Sequence, residues 1–165
     1  MVEEIVIARS ATRNDCNAIA MIYNQGIADR LATFETEPRS TADIESWFDG
    51  KYPTVVVEQQ ERVIGFAATF SYRNRACYAG VCEFSVYVAR ESRGRGVGRL
   101  AMQELIRQAE CGGFWKLVSR VFPENQASLK MLGSLGFREV GIYKRHGQLD
   151  GKWRDVMIVE LLLEE

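Results

Sequence analysis

The sequence holds one histidine, His146, and only three prolines, and its four cysteines, Cys16, Cys77, Cys82 and Cys111, form no Cys-x-x-Cys pair. So few imidazoles and such scattered thiols offer no ligand set for zinc, and no metal is expected. No cysteine carries the signature of an adjacent base, and small packed thiols suit a reducing compartment. The net charge of −1 argues against general nucleic-acid binding. No apolar run is long enough to span a bilayer, and Met1–Ser10 does not read as a signal peptide. The expectation is a cytoplasmic protein without membrane or nucleic-acid partners. What is present is ordinary for a globular chain: 165 residues, 47% hydrophobic and 26% charged, suited to a single domain over residues 1–165.

Periodicity divides the chain into alternating strands and helices. Ile5–Arg9 reads as a strand with Ile5 and Ile7 on one face. Thr12 is a candidate N-cap for a helix that carries Ile19, Ile22, Tyr23 and Ile27 to about Asp29. A loop, Leu31–Pro38, precedes a helix over about Thr41–Asp49 capped by Thr41. Thr54–Glu58 and Val63–Tyr72 form a strand pair, with Gly65 marking a bulge or a close backbone approach. A strand leads to Val88, a helix begins near Val97, and Lys116–Val121 is again a strand. Asn125 is a natural N-cap for the next helix. Glu139–Arg145 and Lys152–Leu162 read as a hairpin around Asp150-Gly151. Strands and helices in this order predict an α/β (α+β) sheet of mixed direction.

The stretch from Val81 to Leu100 carries the strongest chemical signal. Phe84, Val86 and Val88 lie on one side of the strand; Glu83, Ser85 and Tyr87 share the other. Gly94, Gly96 and Gly98 follow, interleaved with Arg93, Arg95 and Arg99, and then a helix starts. Strand, glycine turn and helix N-terminus have the geometry of an anion cradle, because backbone N–H groups approach closely and the helix dipole favours negative charge, although an arginine-rich solvated turn that happens to contain glycines would read the same way. It is neither a Walker A loop nor a Gly-x-Gly-x-x-Gly fingerprint. Glu83 in so apolar a strand is costly to bury without a partner or a task, unless it is an edge-strand glutamate that faces solvent. Arg73 and Arg75 would project to the same side of an extended chain, where two planar guanidiniums suit an oxyanion, although two solvated charges would read the same way. Phe34 either plugs the core under its loop or lines a pocket.

Arg93-Gly94-Arg95-Gly96-Val97-Gly98 matches the Arg/Gln-x-x-Gly-x-Gly/Ala signature of the Gcn5-related N-acetyltransferases (GNAT), and the chain is identified by that resemblance as a member. The resemblance implies the GNAT fold: a mixed, mostly antiparallel central sheet flanked by helices and splayed at the strand that meets acetyl-CoA. It implies that Arg93, Gly94, Arg95, Gly96, Val97, Gly98 and Arg99 hold the coenzyme's pyrophosphate. The backbone of Val86, Tyr87 and Val88 would hold the acyl and pantetheine arm and polarise the thioester carbonyl, with Asn125 beside it.

Finer similarities reach the phosphinothricin and arsinothricin N-acetyltransferases. Thr-Phe-x-Thr-Glu-Pro around Phe34 resembles their acceptor loop, and Arg73-x-Arg75-x-x-Tyr78 resembles their substrate-binding segment. Glu83 matches the proposed general base, which removes the proton that an ammonium must lose before its nitrogen attacks. Ser85 and Tyr87 match acceptor-facing positions. Leu132 stands where many members carry a tyrosine that protonates the departing thiolate; either Tyr87 serves, or the thiol, with an ordinary pKa of about 8.5, leaves as the thiolate. The run from His146 to Asp155 is closer to the arsinothricin enzymes, and Asp150 occupies a position where phosphinothricin enzymes often have histidine. The implied activity is acetyl-CoA-dependent acetylation of the α-amino group of a toxic glutamate analogue by a homodimer. Another small amine, such as methionine sulfoximine, or a non-catalytic coenzyme A sensor remain as alternatives.

Overall fold

The computed structural model describes residues 4–164. The strands are β1 (Val6–Ser10), β2 (Thr54–Gln59), β3 (Arg62–Ser71), β4 (Val81–Val88), β5 (Lys116–Val121), β6 (Arg138–Leu149) and β7 (Lys152–Leu162); the helices are α1 (Cys16–Asp29), α2 (Thr41–Glu45), α3 (Val97–Cys111) and α4 (Gln126–Ser134). The strands form one sheet in the order β1-β2-β3-β4-β5-β7-β6. Every neighbouring pair is antiparallel except β4 and β5. This is the mixed, largely antiparallel α/β sheet expected from the sequence.

The sheet is covered on both faces, and alternation along β2 shows how. Val55 and Val57 face α3 and α4 within a cluster that holds Phe84, Met102, Leu105 and Leu132. Val56 faces the other way, toward Ile19, Ile22, Ile44, Phe66 and Tyr87 under α1 and α2. Burying each such aliphatic side chain contributes roughly 1.5–3 kcal/mol, so the central strands hold the two helical layers together. Gly65 is a point of close approach: a Cβ there would lie 2.7 Å from Val97 Cγ1, so its absence lets α3 begin directly on the sheet. The ladder between β2 and β3 also shifts register after Val57.

Several local expectations change. Ile5 and Ile7 do not form a buried face; they are 72% and 47% exposed, because β1 is an edge strand and only Ala8 packs against the core. The N-cap of α2 is Ser40, not Thr41: its hydroxyl accepts from Asp43 N–H at 3.2 Å while Asp43 accepts from Ser40 N–H at 2.8 Å, a reciprocal capping box. The rest of that expected helix, Ser46–Asp49, tightens to a 3-10 turn. Strand β6 continues past Arg145 to Leu149. Arg145 sits at φ 48°, its N–H donates to Asp155 at 2.8 Å, and pairing resumes at Gly147 with Arg154. A side-chain acceptor thus bridges an irregularity that breaks the sequence pattern.

Candidate active site

β4 and β5 are paired over only three positions, Val81–Glu83 with Lys116–Val118, and then part. Just beyond, the Ser119 hydroxyl donates to the Phe84 carbonyl at 2.9 Å. The Phe84 backbone therefore points toward β5. A strand's period of two aims the backbone groups of Val86 and Val88 at the same edge, where no strand pairs with them. This splay gives β4 an open edge, as the resemblance implies.

The open edge leads into the glycine turn. Gly94 and Gly96 both have φ of 79°, the left-handed region that glycine enters without strain, and a Cβ on either would meet nothing within 4 Å. Gly96 is the N-cap of α3, and the first intrahelical bond runs from Leu100 N–H to the Gly96 carbonyl at 3.1 Å. The N–H groups of Val97, Gly98 and Arg99 therefore have no partner within the helix and face outward as a cluster of donors. A cleft of about 830 Å³ runs beneath, bounded by Val86, Val88, Gly96, Gly98, Asn125 and Met131. Its size and its backbone donors fit a diphosphate with a long pantetheine arm.

The arginines of this turn have different tasks. Arg93 donates to Asp29 at 2.8 Å and to the Val88 carbonyl at 3.3 Å, and Arg90 also binds Asp29. Arg90 and then Arg93 hold the Asp29 carboxyl below the usual carboxylate range. Arg93 thus fastens the end of α1 to the turn. Arg95 and Arg99 have no carboxylate partner among the described residues, which leaves their charge for a ligand; Arg99 contacts Ser134 Oγ at 3.3 Å.

A narrow cavity of about 60 Å³ lies in the fork between β4 and β5, bounded by Ser85, Tyr87, Ser119, Arg120, Asn125 and Leu132. It shares Val86, Tyr87 and Asn125 with the cleft. On the α1–α2 side a third cavity, about 380 Å³, is bounded by Tyr23, Arg39, Trp47, Phe70 and Ser85. Ser85 borders both this cavity and the fork. The large cleft and the cavity on the α1–α2 side therefore approach each other through the fork, a suitable place for an acceptor to meet a coenzyme.

Glu83 is the last residue of β4 that pairs with β5. Its register neighbour on β3 is Phe70, which lines the acceptor cavity. Arg120 Nη2 donates to Glu83 Oε1 at 2.6 Å. Sequence reasoning missed Arg120: it lies 37 residues away, and only the parallel pairing of β4 with β5 brings the two together. Arg39 and Trp47 were missed too, since their helix and loop carried no chemical motif.

The other candidates occupy varied surroundings. Tyr87 is 8% exposed and lies against Tyr23 and Phe66. Burial, and secondarily the neighbouring Tyr23, pushes its phenol up, while hydrogen bonding with Thr33 opposes the rise. Leu132 is 1% exposed and presents no proton donor to the fork. Asn125 caps α4 by accepting from Ser128 N–H at 3.2 Å, and it also borders the cleft. The extended chain assumed for Arg73 and Arg75 ends at Ser71, and a 3-10 turn follows at Ala76–Tyr78. Each guanidinium instead lies over a tyrosine, Arg73 at 5.1 Å from the Tyr72 ring and Arg75 at 5.9 Å from that of Tyr78. Phe34 packs edge-on against Phe122, with ring centroids 5.0 Å apart, beside Leu149 and Val156. Phe34, Tyr78, these two arginines and Glu83 itself bound none of the three cavities described; Ser85, on the same face of β4 as Glu83, does. Asp150 forms the hairpin turn with Gly151 and pairs with Arg30 at 2.9 Å, and His146 stacks near Tyr143. Among the described residues no three His, Cys, Asp or Glu side chains gather as a metal site.

A diphosphate cradle, a forked sheet and a carboxylate at the fork define a transferase that draws an acyl group from a coenzyme. The family model described as "Acetyltransferase (GNAT) family" matches residues 19–137, and the chain belongs to that family of acetyltransferases. The L-methionine sulfoximine/L-methionine sulfone acetyltransferase of Pseudomonas aeruginosa is 31% identical, over 94% of this chain and 94% of its own length. The phosphinothricin N-acetyltransferase of Alcaligenes faecalis is also 31% identical, over 89% of this chain and 77% of its own. The crystal structure of a GNAT superfamily phosphinothricin acetyltransferase from Sinorhizobium meliloti in complex with acetyl-CoA superposes with a TM-score of 0.89 at 30% identity, covering 96% of this chain and 88% of that one.

Proposed function

We propose that the protein transfers an acetyl group from acetyl-CoA to the α-amino group of a toxic glutamate analogue, phosphinothricin or arsinothricin, and so confers resistance. The observation that carries this reading is the position of Glu83, a carboxylate at the last β4–β5 pair, where the sheet forks, with its neighbours Phe70 and Ser85 lining the cavity on the α1–α2 side. The names of the relatives support an amino-acid analogue as acceptor.

Acetyl-CoA supplies the activated acetyl thioester. The donors at the start of α3 bind its diphosphate, with Arg95 and Arg99 adding charge, and the open edge of β4 at Val86 and Val88 offers hydrogen bonds to the acyl arm. Glu83 takes a proton from the acceptor's ammonium, directly or through one water. Arg73 and Arg75 steer the acceptor's anionic end, with Phe34, Tyr78, Ser85 and Tyr87 around the amino acid. Tyr87, which bounds the fork beside Ser85 and Ser119, serves as the proton donor that Leu132 cannot be.

The whole chain acts as one catalytic unit and as a homodimer. Support for the dimer comes from β6, an edge strand exposed along nearly its whole length, with Val140, Ile142 and Tyr143 uncovered. The four free cysteines suit the reducing cytoplasm.

The test is thiol release from acetyl-CoA with phosphinothricin, arsinothricin, methionine sulfoximine, glutamate and spermidine side by side. Turnover confined to the first two is the expected result. Turnover with methionine sulfoximine alone, the reading favoured by the Pseudomonas relative, would keep the chemistry and discard the distal anion. Coenzyme A binding without any turnover would leave a sensor.

A further inference from the structure

Resting on that reading, we infer that Arg120 is a specificity residue: together with Glu83 it forms a receptor for the paired charges of an α-amino acid, taking the acceptor's α-carboxylate while Glu83 takes its ammonium.

The pair is open in the way a receptor must be. One guanidinium nitrogen donates to one carboxylate oxygen at 2.6 Å. No other hydrogen bond engages either side chain among the described residues, so Glu83 Oε2 and four of the five guanidinium donors remain unused. The side chains are 48% and 30% exposed for Arg120 and Glu83. Position points the same way. Val118 is the register partner of Glu83, and Arg120, two residues on, shares its face of the sheet. That face looks toward α1 and α2, where Tyr87 of β4 packs, and Ser85 of the same strand lines the acceptor cavity. Arg120 also bounds the fork beside Ser85, where the nitrogen must meet the acetyl group.

Charge completes the match. The pair sets a cation next to an anion; a zwitterionic α-amino acid offers the same two charges reversed, on two groups bonded to one carbon. Docking it closes a ring of alternating charges, carboxylate on guanidinium and ammonium on carboxylate, and arginine's fork is the donor shape that a carboxylate fits. The ammonium is then held by the group that deprotonates it. A plain amine would bind Glu83 but leave Arg120 without its anion.

The experiment compares acceptors with and without the α-carboxylate: phosphinothricin and methionine sulfone against their decarboxylated amines, in wild type, Arg120→Ala and Arg120→Lys. Loss of a charge-assisted contact raises KM for the amino acids roughly 10- to 100-fold in Arg120→Ala, with partial rescue by lysine. KM for the decarboxylated amines stays within about twofold of wild type. An equal loss on both acceptor types, with a displaced pH profile of kcat/KM, would overturn the inference and leave Arg120 as a positioning residue for Glu83. Silence of the wild type on every amine would overturn the acetyl-transfer reading instead. Calorimetric titration of phosphinothricin into the coenzyme A-saturated protein then decides the inference alone: no binding, or equal binding by Arg120→Ala, defeats it.

Discussion

The two sides of the sheet's fork are made differently. On the coenzyme side the groups aimed at the ligand come from one continuous stretch, β4, the glycine turn and the start of α3, and are mostly backbone N–H and C=O, while α4 walls the cleft with Asn125 and Met131. On the acceptor side the cavity is assembled from Tyr23, Arg39, Trp47, Phe70 and Ser85, residues from α1, a loop, a 3-10 turn and two strands. Its functional groups are side chains. A backbone site depends on conformation and tolerates change in the side chains around it. A side-chain site depends on identity and fails or changes specificity one residue at a time.

The variant expected to break this comparison most is Glu83→Gln. It should cut kcat by roughly 10²- to 10⁴-fold, the usual worth of a positioned base, while acetyl-CoA affinity measured by calorimetry stays as in wild type. Near-normal turnover would remove Glu83 from the chemistry.

Next is Phe34→Ala, which asks whether the acceptor loop is held by packing or by substrate. With Phe122, Leu149 and Val156 around the ring, and Gly147 so close that a Cβ there would lie 2.9 Å from it, truncation should lower stability to urea by about 2 kcal/mol, below the range for a fully enclosed phenylalanine. Unchanged stability with a raised acceptor KM would return Phe34 to the pocket wall.

On the coenzyme side, Gly96→Val forces a branched residue to a φ of 79°. Left-handed strain of about 1–2 kcal/mol should weaken acetyl-CoA binding by about tenfold with little change in acceptor KM. A selective effect on acceptor KM would contradict the division of the site.

The smallest effect lies away from the fork, where α1 joins β1. Asp15 is buried, accepts from Arg9 at 2.9 and 3.0 Å and from Thr12 N–H at 2.7 Å. Burial alone would raise its pKa, but the bonds from Arg9 and Thr12 outweigh it and hold the carboxyl below the ordinary 3.8. A depressed folded pKa means that the unfolded chain binds the proton more tightly, so the stabilisation is present above pH 3.8 and is lost as the pH falls through the lower folded value. Thermal melts should show wild type losing a few degrees in that window, and Asp15→Asn should flatten the loss without altering coenzyme affinity.

Much of this molecule is legible in the chain itself. The bounds of β4, α3 and β5, the N-cap role of Asn125 and the diphosphate cradle follow from periodicity, glycine spacing and capping chemistry, all interactions between near neighbours in the chain. The start of α2 is harder to place, because Ser40 and Thr41 are equally good caps in isolation; the reciprocal bond from Asp43 decides for Ser40. Arg73 and Arg75 share a side only while a strand continues, and tyrosines 72 and 78 take one guanidinium each once the chain turns.

Near-neighbour chemistry in the chain is enough to mark an anion cradle, a glycine turn between strand and helix with its backbone donors presented outward, and to set Glu83 on the polar side of its strand; the class of reaction follows from the resemblance of these motifs to the acetyltransferase family. Who stands opposite is a matter of three-dimensional packing alone. Glu83 meets Arg120 because β5 runs parallel to β4 for three residues and then departs. No local preference encodes that meeting, since strand register is settled by how the two helical layers pack on the sheet, and it is the departure of β5 that opens the fork where donor and acceptor come together.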